Sequence, residues 1–469
     1  MKKSKLLSTS LLIAYLITSC AVGPDYKQPK VAFSKKYDSQ SDLNNKPASL
    51  KNWWEKFNDP KLNDLISEAI ENNYDLAIAL ERIEETRALY RFESAKLYPE
   101  ITASARQIRT RISQNISEAP FFGPPVQNFY LAGFDALWEV DVFGGLRRGK
   151  ESAFYELQSD HESMRDVLIT LLSDVARNYI QYISTNKLIG YTKKTVENQK
   201  KIVKLTERKE KAGLVSLIEV ENEIKELARK EKELIDLEKT AKQIFNRLAV
   251  LLGYQPEKFT LTISSDYELP VVDKMVSVGI PSDLLRRRPD IRKSERDLAK
   301  TTADIGVAVA DLFPKFSLTG NFSYLSNQAS RWFQWSSRTW YIGPKIDWNI
   351  FAFGKFRAQV KAKKYKQKQA LLSYENTIIL ALEDVENALV AFFYENDILK
   401  ENLKELNSIK KTLELNYELL KSGLEDRQRY LKVENEFIEI QKNYIDSKKN
   451  LINDLISLYK SLGGGWECI

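Results

Sequence analysis

Residues 137–153 read LWEVDVFGGLRRGKESA, and the pattern changes halfway along. Before Gly144 the chain alternates: Ala132, Phe134, Ala136, Trp138, Val140 and Val142 fall on one face, opposite Gly133, Asp135, Glu139 and Asp141. Period two marks a strand with one apolar face. Beyond Gly144 no proline occurs before Pro256, and lysine and glutamate dominate at helical spacing. A strand therefore hands over to a long helix at Gly144.

The same change recurs. In residues 346–362, IDWNIFAFGKFRAQVKA, the residues Trp348, Phe353, Gly354 and Arg357 pair with Trp138, Phe143, Gly144 and Arg147 at an offset of 210. Upstream, residues 72–105 match residues 287–320 at an offset of 215: Asp75 meets Asp290, and Leu97-Tyr98-Pro99 meets Leu312-Phe313-Pro314. The first half thus carries five extra residues between its proline and its tryptophan, where a loop must lie. Downstream, Gly213-Leu214 pairs with Gly423-Leu424 and Leu252-Gly253 with Leu462-Gly463, again at 210. The chain is one plan written twice.

Each copy predicts short helices, two strands and a long helical hairpin. The short helices fill the stretches Pro60 to Pro99 and Pro281 to Pro314. Pro289 and Asp290 suit a helix start, because proline presets φ and an acid favours the positive end of the dipole. In KFSLTGNFSYLS, Phe316, Leu318, Phe322 and Tyr324 oppose Ser317, Thr319, Asn321 and Ser323. In YIGPKIDWNI, Ile342, Pro344, Ile346, Trp348 and Ile350 oppose Tyr341, Gly343, Lys345, Asp347 and Asn349. The remaining strand, beginning EITASARQ, alternates for only five or six residues. From Gly354 to Gly423 the helical pattern is unbroken. Leu399, Leu403, Leu406, Ile409, Leu413, Tyr417 and Leu420 recur at steps of three and four, a coiled-coil seam, in a helix of roughly 100 Å. The second hairpin tip reads three residues longer than the first: ten steps from Gly423 to Val433, against seven from Gly213 to Val220.

Four alternating strands also suit an ordinary soluble sheet. Against that reading, Trp138, Trp332, Trp335, Trp340 and Trp348, five of the eight tryptophans, lie in or beside them. Aromatic residues gather in this way at the rims of membrane barrels, and about ten residues let a tilted strand cross a bilayer. Strands in lipid must close on themselves. Single-chain barrels start at about eight strands, which leave no open bore. Four strands per chain therefore predict an oligomer sealing one barrel.

At the amino terminus, Lys2, Lys3 and Lys5 precede an apolar run to Ile17 and then Thr18-Ser19-Cys20. This is the layout of a secretory signal whose apolar part is too short to span a membrane. Ile17-Thr18-Ser19-Cys20 resembles a bacterial lipobox, so Cys20 is expected to be acylated and to become the first mature residue; the non-acidic Ala21 suits an outer-membrane destination. The formal charge of +7 falls to near +4 once the three signal lysines are gone. Lysines interspersed with glutamates make solvated helix surfaces, not the one-signed groove of a nucleic-acid binder. Cys468 has no disulfide mate beside an acylated Cys20, and the only histidine, His161 in QSDHESMRD, reads as solvent-facing. With no glycine-rich phosphate loop, nucleophile elbow or metal-spaced histidines, no catalytic residue, metal or cofactor is expected.

IPSDLLRRRPDIRKSERDLAKT at residues 280–301, the LYP and LFP before strands, KAGLVS at 211–216 and LYKSLGGGW at 458–466 resemble the outer-membrane factors of tripartite efflux pumps. Pro24, Tyr26 and Pro29 after Cys20 resemble the lipoprotein branch, the NodT type. The resemblance covers the mature chain. It implies an α+β membrane protein: a homotrimer whose twelve-stranded transmembrane β-barrel, four strands from each chain, continues into a long periplasmic α-helical coiled-coil barrel. Implied partners are a periplasmic adaptor, an inner-membrane pump (a proton-driven one is expected) and outer-membrane lipids, with no nucleic acid. The implied function is an exit duct for drugs or other toxic small molecules. The alternatives are an exit duct for type I protein secretion and, from another class, a periplasmic coiled-coil lipoprotein without a channel, which the tryptophan-rich strands oppose.

The expected layout is a signal peptide over 1–19 and a lipidated equatorial segment over 20–60. Short helices (61–98), a barrel hairpin (99–143) and a long helical hairpin (144–256) make the first repeat. A linker with short helices (257–313), a barrel hairpin (314–353) and a long helical hairpin with the carboxyl terminus (354–469) make the second. The family's adaptor-contacting tips fall on Ala212, Gly213, Leu214, Ser216, Ser422, Gly423 and Leu424. Several relatives place two acids, three apart, just past the second tip. The matching positions here are Lys432 and Asn435, so a negative ring at the entrance is expected from Glu425, Asp426 and Glu434 instead.

Overall fold

Gly144 and Gly354 sit where strands become helices, each at positive φ, 77° and 79°. The computed structural model describes residues 21–30, 50–111, 113, 126–262, 267–270 and 283–468. The expected signal segment and Cys20 lie outside the described residues. A 3₁₀ turn at Trp53–Phe57 leads into α1 (Pro60–Asn72), α2 (Tyr74–Ala95), β1 (Glu100–Arg111), β2 (Val126–Val140), α3 (Gly145–Lys211) and α4 (Leu217–Leu251). Then follow α5 (Leu284–Arg287), α6 (Pro289–Ala310), β3 (Lys315–Ser326), β4 (Arg338–Asp347), α7 (Lys355–Lys421) and α8 (Arg427–Ser461). The repeat is quantitative: α3 and α7 have 67 residues each, α4 and α8 have 35 each.

The chain divides into two compact units. The first, residues 1–30, 82–161 and 293–375, holds the sheet. Its four strands are antiparallel in the order β1-β2-β3-β4. Glu100 opposes Leu137 in one hairpin and Lys315 opposes Asp347 in the other. Those pairs stand at the repeat offsets of 215 and 210, so the five extra residues fall between the paired strand ends, towards the turn, as the spacing requires. β1 runs for 12 residues, about twice the alternation legible in its sequence. Pairing with β2 along its whole length extends it, from Glu100 to Arg111, past the point where arginines obscure the pattern.

The second unit, residues 31–81, 162–292 and 376–469, is helical. At its core Trp53 is fully buried, stacked on Tyr459 at 5.4 Å between centroids and edge-on to Trp54 and Phe57. Leu62 and Ile66 of α1, Leu248 of α4 and Ile452 and Ile456 of α8 are buried in the same unit. Each such side chain contributes about 1.5–3 kcal/mol. Asp59, itself buried, starts α1 by accepting the N–H groups of Lys61 and Leu62 at 3.0 and 3.2 Å.

Three expectations need correction. The two hairpin tips are equally long, Lys211 to Leu217 and Lys421 to Arg427, with Ser216 and Asp426 before the return helices. Val220 thus corresponds to Tyr430, and its likeness to Val433 was a coincidence of residue type. In the α7 seam, Leu399, Leu406, Ile409, Leu413 and Leu420 turn inward as expected, whereas Leu403 and Tyr417 are exposed. Asn402 and Asn416 take the inward places, so the steps alternate three and four without a break, the 3.5-residue period of a left-handed coil. Asn402 donates to Ser447 of α8 at 2.5 Å, which meets the need of a polar group in that seam. His161 is half-buried, not solvent-facing.

Candidate functional site

A duct needs a wall that tolerates lipid outside and water inside. Register supplies it. Ala103 opposes Phe134, Phe134 opposes Phe322 and Phe322 opposes Trp340, an apolar row across all four strands. One residue along, Ser104, Gly133, Ser323 and Thr339 make a polar row on the other face. There Asn321 donates to Asp135 at 2.8 Å and Ser323 donates to Asn321 at 2.9 Å. A Cβ on Gly133 would lie 2.3 Å from that of Ser323, so β2 and β3 approach as closely as they do only because the residue is glycine. The outer strands β1 and β4 each keep one edge free of any strand among the described residues. In both halves a tryptophan ties the strand end to the LYP or LFP element. Trp138 Nε1 donates to the Leu97 carbonyl at 2.9 Å, and Trp348 Nε1 to that of Leu312 at 3.2 Å.

The segment after Cys20 is docked at the first strand-to-helix junction. Val22 N–H donates to the Phe143 carbonyl at 3.0 Å, and Arg148 reaches back to the Val22 carbonyl at 3.3 Å and to Asp25 at 2.6 Å. Gly23 lies against Gly306 so closely that a Cβ would fall 2.5 Å from its Cα. Tyr26 donates to Glu295 at 3.0 Å, and burial first, then Glu295, raises its hydroxyl above the ordinary phenol range.

The two tips share a backbone and differ in chemistry. Gly213 (φ 72°) and Gly423 (φ 75°) lie in the left-handed region, and the N–H groups of Leu214 and Leu424 reach the Lys209 and Leu419 carbonyls at 2.9 Å each. Ala212, Leu214, Ser216, Ser422 and Leu424 are all exposed. The first tip also presents Leu217 and Ile218 to solvent, whereas the second continues through Glu425, Asp426 and Arg427.

Each of the five expected entrance residues is engaged within the chain. Asp426 caps α8 through the Gln428 N–H at 3.2 Å and pairs with Lys209 at 2.5 Å; the lysine bond, opposed by partial burial, holds its carboxyl below the usual range. Glu425 pairs with Arg429 at 3.3 Å and Lys432 with Glu223 at 2.7 Å. Glu434 pairs with Lys194 at 3.2 Å, and Asn198 brings Glu434 and Asn435 together by donating to both, at 3.0 and 3.1 Å. Exposed pairs of this kind contribute about 0.2–1 kcal/mol each. Lys194, Asn198, Lys209 and Glu223 were missed in the sequence because their partners stand more than two hundred residues away. A signal existed: Glu223–Lys432, Lys230–Glu439 and Glu233–Lys442 join α4 to α8 at a constant separation of 209.

The RRRPDI element proves to be a structural knot. Arg288 grips Asp290 with two nitrogens, at 3.1 and 2.7 Å, reaches Asp384 at 2.9 Å, and donates to the Ser461 carbonyl at 2.9 Å. Beside it lies a cavity of about 510 Å³ that Arg177 and Asp454 also line. Burial, reinforced by Glu395 and opposed by Arg177, pushes the Asp454 carboxyl up to about 6. Among the described residues no group of side chains is arranged to hold a metal ion, and no helix is long and apolar enough to cross a membrane.

These features have close counterparts. The profile of the family described as "Outer membrane efflux protein" matches residues 65–254 and 280–464. The solvent efflux pump outer membrane protein SrpC of Pseudomonas putida is 28% identical over 474 residues, 99% of each chain. Outer membrane protein OprJ of Pseudomonas aeruginosa is 29% identical over 476 residues, 100% of this chain and 97% of its own. The solved outer-membrane channel OprN superposes with a TM-score of 0.85 at 30% identity, over 96% of this chain and 100% of its own. That of CusC superposes with 0.77 at 26% identity, over 95% and 100%. This chain belongs to the outer membrane efflux protein family, and it is an exit duct through the outer membrane.

Proposed function

We propose that three copies of the chain form one twelve-stranded barrel, which a periplasmic adaptor and an inner-membrane pump feed with toxic small molecules. The observation carrying this reading is a four-stranded sheet with one apolar face, one polar face and, among the described residues, an unpaired edge on each side. In lipid such edges must be paired by further strands. The solvent efflux named for the relative SrpC makes small molecules the natural cargo. We place the adaptor at the exposed tips, Ala212 to Ser216 and Ser422 to Leu424. We assign the resting closure to the polar contacts that hold α8 on the first hairpin, Glu434 and Asp426 among them, with Glu425, Lys432 and Asn435 beside them. Cys20 would be the lipid anchor, one residue ahead of the segment that is docked from Ala21 onward. Cys20→Ala, if exported, keeps the trimer and loses the acyl mass.

Planar-bilayer recording of the purified full-length protein tests the duct. Discrete, trimer-sized conductance steps are expected, with larger steps after Glu434→Gln and Asp426→Asn are combined. A monomer that never inserts overturns the reading.

A further inference from the structure

Contact with hydrocarbon alone does not explain how charge is placed on the apolar face of the sheet. That face holds the odd-numbered residues of β1 and the even-numbered ones of β2, β3 and β4, since the pairing runs without a break. Its only charged side chains within the strands are Arg109, Arg111 and Arg338, and no strand acid shares it. All three lie towards the turns of their hairpins, whereas the other end presents Ile101, Trp138, Phe316 and Ile346. At that other end the strands pass into the helices, which extend into the periplasm, so the arginines mark the outward end. A cation facing lipid is costly at mid-membrane and tolerated near the headgroups, so a headgroup boundary falls here. The three arginines are exposed, and none has an ion-pair partner among the described residues.

Between the arginines lies a groove of about 410 Å³, lined among others by Ala103, Ala105, Ala132, Phe322, Tyr324 and Phe333. Such a volume falls in the roughly 300–1,000 Å³ range of small-ligand pockets. Ala105 stands four residues before Arg109 on β1, and Tyr324 is the direct partner of Arg338. An aromatic layer borders the groove on the outward side. There Trp332 packs on Tyr130 at 5.4 Å and on Phe333 at 4.9 Å, and Phe333 on Tyr324 at 5.9 Å. Arg338 lies over the Trp335 ring at 4.2 Å and donates one N–H to the Trp335 carbonyl at 2.8 Å. Charged, aromatic and apolar groups thus meet at one end of the face, as they do where a protein crosses a membrane surface.

We propose that this face binds a phosphorylated glycolipid of the outer leaflet. One acyl chain lies in the groove beside Ala105 and Ala132, and the headgroup phosphates rest on Arg109 and Arg111 on one side and Arg338 on the other. Charge complementarity selects the occupant. The planar fork of arginine matches phosphate oxygens two at a time. With no acid on the face, the ammonium of a zwitterionic headgroup finds no partner. The arginines stand on the first and fourth strands, three strand spacings or about 14 Å apart. That separation suits a headgroup carrying two phosphates better than one carrying a single phosphate. The inference needs the strands to lie in the outer membrane and is indifferent to how many copies close the barrel.

Native mass spectrometry of the full-length protein in neutral detergent tests the site, with diphosphoryl lipid A, monophosphoryl lipid A and phosphatidylethanolamine as probes. The diphosphoryl lipid should be held about tenfold more tightly than phosphatidylethanolamine, with the monophosphoryl form between them. Arg109→Gln, Arg111→Gln and Arg338→Gln combined should abolish that preference, and so should high salt, while the channel conductance stays unchanged. Ala132→Trp, which fills the groove, should weaken all three lipids alike and leave their order intact. Inorganic phosphate at matched concentration should not displace the lipid. A preference that survives the triple substitution overturns the proposal, and so does displacement by phosphate, which would mean that a free anion suffices. A protein that conducts in planar bilayers yet binds the three lipids equally overturns the proposal and leaves the duct standing. One that never inserts sinks both.

Discussion

The two strand-to-helix junctions start from the same sequence signal and end in different surroundings. At the first, Asp141 accepts the N–H groups of Leu146 and Arg147 at 3.1 and 2.8 Å, Phe143 stacks on Phe313, and Ala21 lies against Gly144. At the second, Phe351 occupies the place of Asp141, Phe353 is held at φ 47°, and no described residue lies within 4 Å of where a Cβ on Gly354 would stand. A large aromatic side chain at positive φ and open to solvent is strained and exposed at once. The difference teaches that one half of the repeat is completed by its own chain, and that the other leaves its junction uncovered.

Glycines offer the largest test of that contrast. Gly133→Val should break the β2–β3 pairing, because its first carbon already meets Ser323, and the folded chain should be lost from the outer membrane. A Cβ on its repeat mate Gly343 would meet no described residue within 4 Å, so Gly343→Val should leave the chain folded, by far-ultraviolet circular dichroism, yet abolish the trimer on native gels. If Gly343→Val assembles normally, the second half is not a copy of the first at its outer edge.

A smaller effect separates the helix ends. Gly253 and Gly463 both close return helices at positive φ, 78° and 74°, where any other residue costs about 1–2 kcal/mol. A Cβ on Gly253 would also lie 2.3 Å from the Asn72 carbonyl oxygen, against 3.1 Å from that of Arg287 for Gly463. Thermal melts should therefore show Gly253→Ala well below Gly463→Ala.

Acidity sharpens the comparison further, since only the second half carries the Asp454 cavity carboxyl. Its folded value of about 6 lies above the roughly 3.9 of an unfolded aspartate. Protonation is thus favoured in the fold, so the contribution is fully present below about pH 4 and is lost as pH rises through 6. Asp454→Asn should raise the melting temperature at pH 8 by a few degrees and leave it unchanged at pH 4. The smallest change is expected at the tips. Lys209→Met removes one exposed pair with Asp426, an effect of about 0.2–1 kcal/mol that should fade in high salt.

Much of this was legible beforehand because repetition and periodicity are local. Alternation around Trp138, the glycines at 144, 213, 354 and 423, and the seven-residue spacing of α7 mark strands, junctions, turns and helices through backbone geometry alone. β1 was under-read because pairing with β2 extends it beyond its own pattern. The seam was misjudged at Leu403 and Tyr417 because apolar residues stood beside the asparagines that turn inward.

The sequence by itself determined that there are two copies of one plan and that four strands must find more strands; both follow from composition and spacing along the chain. Only the tertiary structure decided which charges meet. Glu434 faces Lys194 and Asn198, Arg288 binds Asp290 and Asp384, and Phe143 is covered while Phe353 is not. Side chains far apart in the sequence become neighbours through the packing of long helices and the pairing of strands, and no local pattern records where those contacts fall.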